Sequence, residues 1–117
     1  MNVLVKGHGV TVSPSLDAYA RRRLQFAIGA FGRRIYDVEV RVSDVNGPRG
    51  GVDKACVLAV ALRSSVERVV VRAVGTTAYS AIARAAFRVR AALVRRLHRR
   101  TERHRRGVRG FPRRRAA

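Results

Sequence analysis

The sequence predicts a single α+β domain of order β-α-β-β-β-α, with two helices packed on one face of a four-stranded sheet. Two segments space their apolar residues three or four positions apart, as helices with one buried side do. Four shorter segments place valine, leucine or other apolar residues at alternate positions, as strands with one buried face do. The chain has 117 residues, 47% of them hydrophobic, so it is long enough for one modest core without disulfides or metals.

The first strand and the first helix have clear boundary signals. Residues 2–6 alternate around two valines, and two glycines follow soon after. Ser13 is a favoured N-cap and Pro14 suits the first helical position. We expect a helix over residues 14–31, ended by Gly32. Its apolar face consists of Leu16, Ala20, Leu24, Ala27, Ile28 and Phe31.

Three further strands are expected between the helices. Residues 38–42, 54–63 and 67–74 each carry valine, leucine or alanine at alternate positions. The first two are separated by a turn-rich segment at 46–51. Because the three strands follow one another through short connections, an antiparallel meander is the simplest arrangement.

A long second helix is predicted to begin after a cap at Thr76 or Thr77 and to run to about residue 100. Its buried side is predicted to consist of Tyr79, Ile82, Ala86, Val89, Leu93 and Leu97. At 100° per residue, the opposite side carries a narrow sector of arginines, namely Arg84, Arg88, Arg95 and Arg99. Arg90 points instead toward the border of the apolar side, where a long side chain can extend its charge into water.

The last segment, residues 101–117, loses the helical period. Gly107, Gly110 and Pro112 disfavour a helix there, so we expect a disordered, flexible arginine-rich tail after a folded domain that spans residues 1–100.

Charge is the strongest functional signal in the sequence. Twenty-six Lys and Arg residues stand against 7 Asp and Glu, which gives a formal net charge of +19. Such a protein binds a polyanion most readily, because binding to a nucleic acid releases condensed counterions. A lone cysteine and the lack of a long apolar run indicate a cytoplasmic protein with no membrane partner.

The sequence offers no enzymatic site. His8, His98 and His104 are not spaced with Cys56 as a zinc set, and one cysteine is too few for a structural zinc site. The acidic residues are scattered, so no acid–base pair is evident. We therefore expect no enzyme activity, no catalytic residue, no metal, no cofactor and no small-molecule substrate.

Arginines on both helices form the candidate RNA-binding site. The alternative is an ordinary solvated helix face, but such faces mix charges, and the second helix has no acid between Thr76 and Thr101. Tyr19 and Phe26 flank Arg22 on the first helix and either stack on unpaired bases or pack beneath a loop or on the sheet edge. The candidate residues are Arg22, Arg23, Arg33, Arg34, Arg84, Arg88, Arg95, Arg96, Arg99 and Arg100.

Two segments carry a resemblance to a known family. The run VTVSPSLDAYARRRL at residues 10–24 and the run GTTAYSAI at residues 75–82 resemble the helix openings of bacterial short-form ribosome hibernation-promoting factors and ribosome-associated inhibitors. The resemblance covers about residues 1–100. The sequence departs from the family pattern at Thr77 and Ala83, where an acid is usual, and at Ala91, where a basic residue is usual.

The resemblance implies a stationary-phase stress factor that binds 16S rRNA of the small ribosomal subunit, in the channel used by mRNA and tRNA, and inhibits translation. It places Arg22, Arg23, Arg88 and Arg95 at basic positions of the family pattern. It also implies that the chain lacks the dimerisation domain of long-form members. A similar topology in double-stranded-RNA-binding domains keeps a general binder of structured RNA as the alternative. A regulator acting through protein partners is disfavoured, since no apolar patch is evident.

Overall fold

The computed structural model describes the backbone of residues 1–45 and 53–116, and the side chains of residues 1–45 and 53–98. It confirms the predicted order of elements. The elements are β1 (Asn2–His8), α1 (Pro14–Ile28), a 3₁₀ helix (Gly29–Arg34), β2 (Ile35–Asp44), β3 (Lys54–Leu62), β4 (Arg68–Gly75) and α2 (Ala78–Ala116). The turn-rich segment expected at 46–51 lies outside the described residues.

The four strands form one sheet in the order β1-β2-β3-β4. β1 runs parallel to β2, with α1 as the crossover between them, whereas β2, β3 and β4 form the predicted antiparallel meander. Val40 of β2 lies opposite Leu58 of β3, and Leu58 lies opposite Val71 of β4. Alternate residues of each strand therefore face the helices, and the remaining ones form the outer face of the sheet.

α1 begins as predicted but ends earlier. The Ser13 hydroxyl accepts a hydrogen bond from the Leu16 amide over 3.1 Å, so Ser13 is the N-cap. At the other end, Ile28 leaves helical geometry with φ −132° and ψ 8°, and the chain tightens into the 3₁₀ helix. The expected end at Phe31 and stop at Gly32 are therefore wrong. Short 3₁₀ turns commonly satisfy the last carbonyls of an α-helix.

α2 is capped by Thr77, whose hydroxyl accepts from the Ser80 amide over 3.0 Å. Its buried side matches the predicted one except at Tyr79, which is exposed. The helical backbone continues to Ala116, past the expected end near residue 100. Arginine and alanine favour helix, and extending an existing helix is easier than starting one. The predicted flexibility of residues 101–117 stays a prediction, since their side chains lie outside the described ones.

The core lies between the sheet and the two helices. Its largest fully buried side chains are Leu24, Ile28, Ile35, Leu58, Ile82 and Leu93. Leu97, in α2, is the last buried hydrophobic residue in the part of the chain whose side chains are described. The core thus fixes α2 on the sheet over residues 78–97 and orients the side chains on its solvent side.

Candidate nucleic-acid interface

Two arginines of α2 donate hydrogen bonds to backbone carbonyls at the open edge of the sheet. Strand β4 lies at that edge, so its outward carbonyls have no neighbouring strand among the described elements. Arg88 Nη1 donates to the Arg72 carbonyl over 2.6 Å, and Arg84 Nη1 donates to the Val74 carbonyl over 3.1 Å. These bonds orient both guanidinium groups. Because a guanidinium carries five N–H donors, most donors remain available to a ligand.

An open groove of about 390 Å³ lies beside these arginines, between α2 and β4. Its lining residues are Val71, Arg72, Phe87, Arg88, Ala91, Ala92 and Arg95. None of these described residues is acidic, and three are arginines. The Phe87 side chain is 76% exposed. The groove therefore combines positive charge with one exposed aromatic ring.

Sequence reasoning missed two residues of this groove. The alternation of β4 puts the Arg72 side chain on the outer face of the sheet, and only the docking of α2 on the sheet edge shows that the residue borders the groove. Phe87 lies one turn after Ala83 and one turn before Ala91, away from the buried side of α2. A large aromatic residue outside the apolar face of an arginine-rich helix was the available signal.

Arg96 is separated from the other predicted site residues. Its Nη2 atom donates to Glu67 Oε2 over 2.6 Å, and the Arg96 side chain is only 20% exposed. This ion pair largely neutralises the charge of Arg96. The structure therefore brings Arg84, Arg88 and Arg95 to one surface and leaves Arg96 beside the β3–β4 connection.

The first helix and the turn that follows it carry four more predicted residues. Arg22 is exposed on α1, and Arg33 and Arg34 are exposed on the 3₁₀ helix. Arg23 is half-buried, and its Nε atom is buried with no hydrogen-bond partner among the described residues. Arg22, Arg33 and Arg34 thus present positive charge to solvent on α1 and the 3₁₀ helix, which are separate elements from α2.

Direct contacts hold the two helices together. Arg90 Nη1 of α2 donates to the Ala27 carbonyl of α1 over 2.8 Å, near the C-terminal end of α1, where a positive charge is favourable. The rings of Tyr19 and Tyr79 meet edge to face with their centroids 5.0 Å apart. Tyr19 therefore packs against the second helix, which neither of its two interpretations predicted. Phe26, by contrast, is 86% exposed.

Arg99 and Arg100 complete the predicted set. The backbone of α2 passes through both positions, but their side chains lie outside the described residues. Their assignment to the interface stays a prediction.

The outer face of the sheet carries a second basic feature. An open hollow of about 550 Å³ is lined by Lys6, Gly7, His8, Arg41 and Ser43. Arg41 Nη2 lies 2.6 Å from Glu39 Oε1, so part of this charge is already compensated. The sheet face therefore offers a weaker positive field than the face of α2.

The described residues offer little for covalent or metal chemistry. Cys56 is buried in β3, and burial raises the pKa of its thiol to about 12, so the thiol stays protonated and unreactive near neutral pH. No group of three potential metal-binding side chains occurs in the described part of the chain. Among the same residues, no helix combines the length and apolar character needed to cross a bilayer.

Fold and surface together define a class of protein: a small β-α-β-β-β-α domain that presents ordered arginines on its helical layer. Within this class, the chain belongs to the family described as Sigma 54 modulation protein / S30EA ribosomal protein, whose model matches residues 3–104. The match includes almost the whole described fold. Membership in this family identifies the protein as a ribosome-associated factor.

Solved structures share the fold. A ribosomal subunit interface protein from Coxiella burnetii is 18% identical, with a TM-score of 0.71, and the match covers 84% of this chain and 99% of that one. The N-terminal domain of Protein Y from Thermus thermophilus is 20% identical, with a TM-score of 0.63, and the match covers 81% of this chain and 98% of that one. No curated protein matches the sequence.

Proposed function

We propose that the protein binds the small ribosomal subunit through 16S rRNA, in the channel that mRNA and tRNA use, and inhibits translation while it is bound. The observation that carries this proposal is the ordered arginine surface of α2 in a chain of the S30EA ribosomal protein family. Arg84 and Arg88 are oriented by the carbonyls of β4. Charged donors that are oriented before binding lose less entropy when they meet phosphate groups.

The likeness to the ribosomal subunit interface protein from Coxiella burnetii supports this location. A site between the subunits is rich in rRNA phosphates and is filled by mRNA and tRNA during translation. A protein that occupies it excludes those ligands by volume and by charge. Inhibition then follows from occupancy and needs no catalytic step.

Action on ribosomes places the protein in the cytoplasm. We further propose that it acts when translation is low, as in stationary phase or stress, because vacant ribosomes then leave the channel open. A protein that competes with mRNA and tRNA has its greatest occupancy in that state. The expected action at low translation thus follows from competition with mRNA and tRNA.

General binding to structured RNA is the competing function. The net charge of +19 favours it, because charge alone gives strong binding to any polyanion at low salt. The two functions differ in their dependence on the channel: a general RNA binder coats exposed rRNA whether or not the channel is filled.

A cell-free translation reaction separates the two. Added before initiation, the protein should inhibit synthesis strongly; added to small subunits that already hold mRNA and initiator tRNA, it should inhibit weakly. The amount of reporter protein synthesised is measured for both orders of addition. In the control, small subunits are preincubated without mRNA and tRNA before the protein is added. Equal inhibition in both orders of addition would contradict binding in the channel and favour the general RNA binder.

A further inference from the structure

Phe87 is exposed without a structural need. The core of the described region is closed by the buried residues on the other side of α2, and Phe87 contributes nothing to it, being 76% exposed. A single exposed apolar residue is ordinary on a protein surface. What distinguishes Phe87 is its place in the groove between α2 and β4.

The groove has the composition of a nucleotide site. Arg88 and Arg95 of α2 supply its charge, and the small side chains of Ala91 and Ala92 leave space on the helix beside the aromatic ring. Arg88 is held by its 2.6 Å bond to the Arg72 carbonyl. Charge complementarity indicates the ligand. The arginines repel a second copy of this cationic chain. A nucleic acid, by contrast, offers phosphates that bind the arginines and flat bases that contact the phenylalanine.

We propose that Phe87 is a stacking platform for one unpaired RNA base, whose neighbouring phosphates bind Arg88 and Arg95. Every base has a π-face that stacks on an aromatic ring, so the site accepts single strands of different sequence. In a duplex those faces are covered by neighbouring bases, so the groove selects unpaired nucleotides. The inference rests on the proposed RNA-binding function and adds the class of RNA that this groove binds.

Phe26 provides a matched control. It is also a phenylalanine on a helix beside arginines, and it is 86% exposed. It does not line the groove between α2 and β4, so the proposal assigns base stacking to Phe87 and not to Phe26, at which the sequence also allowed it. Substitutions at the two positions therefore make the same chemical change on comparable exposed surfaces, and both should leave the fold intact.

Fluorescence gives a direct signal for stacking. The chain contains no tryptophan and three tyrosines, so Phe87→Trp and Phe26→Trp each introduce one tryptophan, which is excited selectively at a wavelength that tyrosine does not absorb. Titration with a short single-stranded oligoadenylate should quench the emission of Phe87→Trp and leave that of Phe26→Trp nearly unchanged. A blunt-ended RNA duplex of equal phosphate content should bind without comparable quenching. Equal quenching of both variants by the single strand, or none at position 87, overturns the proposal.

Affinity measurements supply the second test. Phe87→Ala and Phe87→Leu should both bind the single strand about tenfold more weakly than the parent protein, because neither has an aromatic face, whereas Phe87→Trp should retain its affinity. Phe26→Ala should bind like the parent. If Phe87→Leu keeps full affinity, apolar contact rather than stacking is responsible and the proposal fails.

The failure of this inference is distinguishable from failure of the proposed function. Co-sedimentation with small ribosomal subunits is measured for the parent protein alongside the Phe87 variants. If the parent binds subunits but the Phe87 variants behave like it in every assay, only the stacking proposal is lost. If the parent itself does not bind subunits, the ribosomal function is lost, while quenching at position 87 would still support stacking.

Discussion

At the scale of single residues, the arginines of this protein differ in what their guanidinium groups contact. Arg90 joins the two helices through the Ala27 carbonyl, Arg96 pairs with Glu67, and Arg22 extends into solvent. Their positions in the sequence look similar, yet only some are available to a ligand. This difference predicts separate effects on stability and on binding.

Replacement of Arg90 should destabilise the fold more than replacement of Arg22 does. Arg90→Ala removes a charge-assisted hydrogen bond of 2.8 Å between the helices, so we expect a loss of about 1–2 kcal/mol in the free energy of unfolding. Arg22→Ala removes the same charge from an exposed position and should change stability by no more than about 0.5 kcal/mol. Urea denaturation of both variants measures the difference. Equal stabilities would mean that the Arg90 contact is unimportant in solution.

Helical periodicity was enough to assign the exposed arginines to α2, but not to identify their partners. Glu67, which neutralises Arg96, is 29 positions away in the sequence, and the β4 carbonyls bound by Arg84 and Arg88 depend on how the helix docks on the sheet. Phe87 was missed for the same reason: its importance comes from the groove that two elements form together. The apolar periodicity of a segment predicts which way a side chain points, but its contacts depend on how the elements pack together.

At the scale of elements, β3 and β4 were predicted to within one residue, whereas the start of β2 and the helix ends were not. Alternation has a period of two and fails sharply at a turn, which is why β3 was placed to within one residue. Helix ends depend on small differences between competing hydrogen bonds. α1 ends early because Ile28 turns into a 3₁₀ helix, and α2 continues past Thr101 because good helix formers surround its glycines.

The turn between β4 and α2 depends on the absence of a side chain at Gly75. A Cβ atom added there would lie 2.8 Å from the Ala81 amide nitrogen, so the turn would have to open. We expect Gly75→Ala to cost about 1–3 kcal/mol of stability. Gly32→Ala is the control, since an added Cβ meets no atom within 4 Å, and it should leave the melting temperature almost unchanged. Similar melting temperatures for the two variants would show that the turn adapts freely.

Removal of the segment after Arg100 should affect binding without affecting the core. From Thr101 on, the sequence loses the apolar period that marks the buried side of α2, so truncation after Arg100 should leave the melting temperature nearly unchanged. Each lost phosphate contact should lower the slope of log K against log salt by roughly 0.7–0.9. Calorimetry and RNA binding at several salt concentrations measure the two effects. A large fall in melting temperature would show that the segment packs on the domain.

At the scale of the whole molecule, the question is whether total charge or its arrangement governs binding. The sheet face holds Lys6 and Arg41, the helical face holds the arginine groove, and the C-terminal segment adds further arginines. A field from a net charge of +19 attracts RNA from any direction. Only oriented groups such as Arg88 distinguish one RNA site from another, because an oriented donor forms a strong hydrogen bond only with a phosphate at one position.

Two double variants of equal charge separate these effects. Arg88→Glu with Arg95→Glu, and Arg113→Glu with Arg114→Glu, each lower the formal net charge by 4, from +19 to +15. The first pair removes groove arginines and one bond to the Arg72 carbonyl, which should cost only about 1 kcal/mol of stability. It should nevertheless weaken binding to small ribosomal subunits much more than the second pair does, because Arg88 is oriented at the groove by its bond to the Arg72 carbonyl, whereas the C-terminal segment is expected to add only nonspecific affinity. Co-sedimentation at one fixed salt concentration measures the two losses, and circular dichroism verifies that both variants are folded. Equal losses would mean that binding follows total charge, and the general RNA binder would then be the better description of this protein.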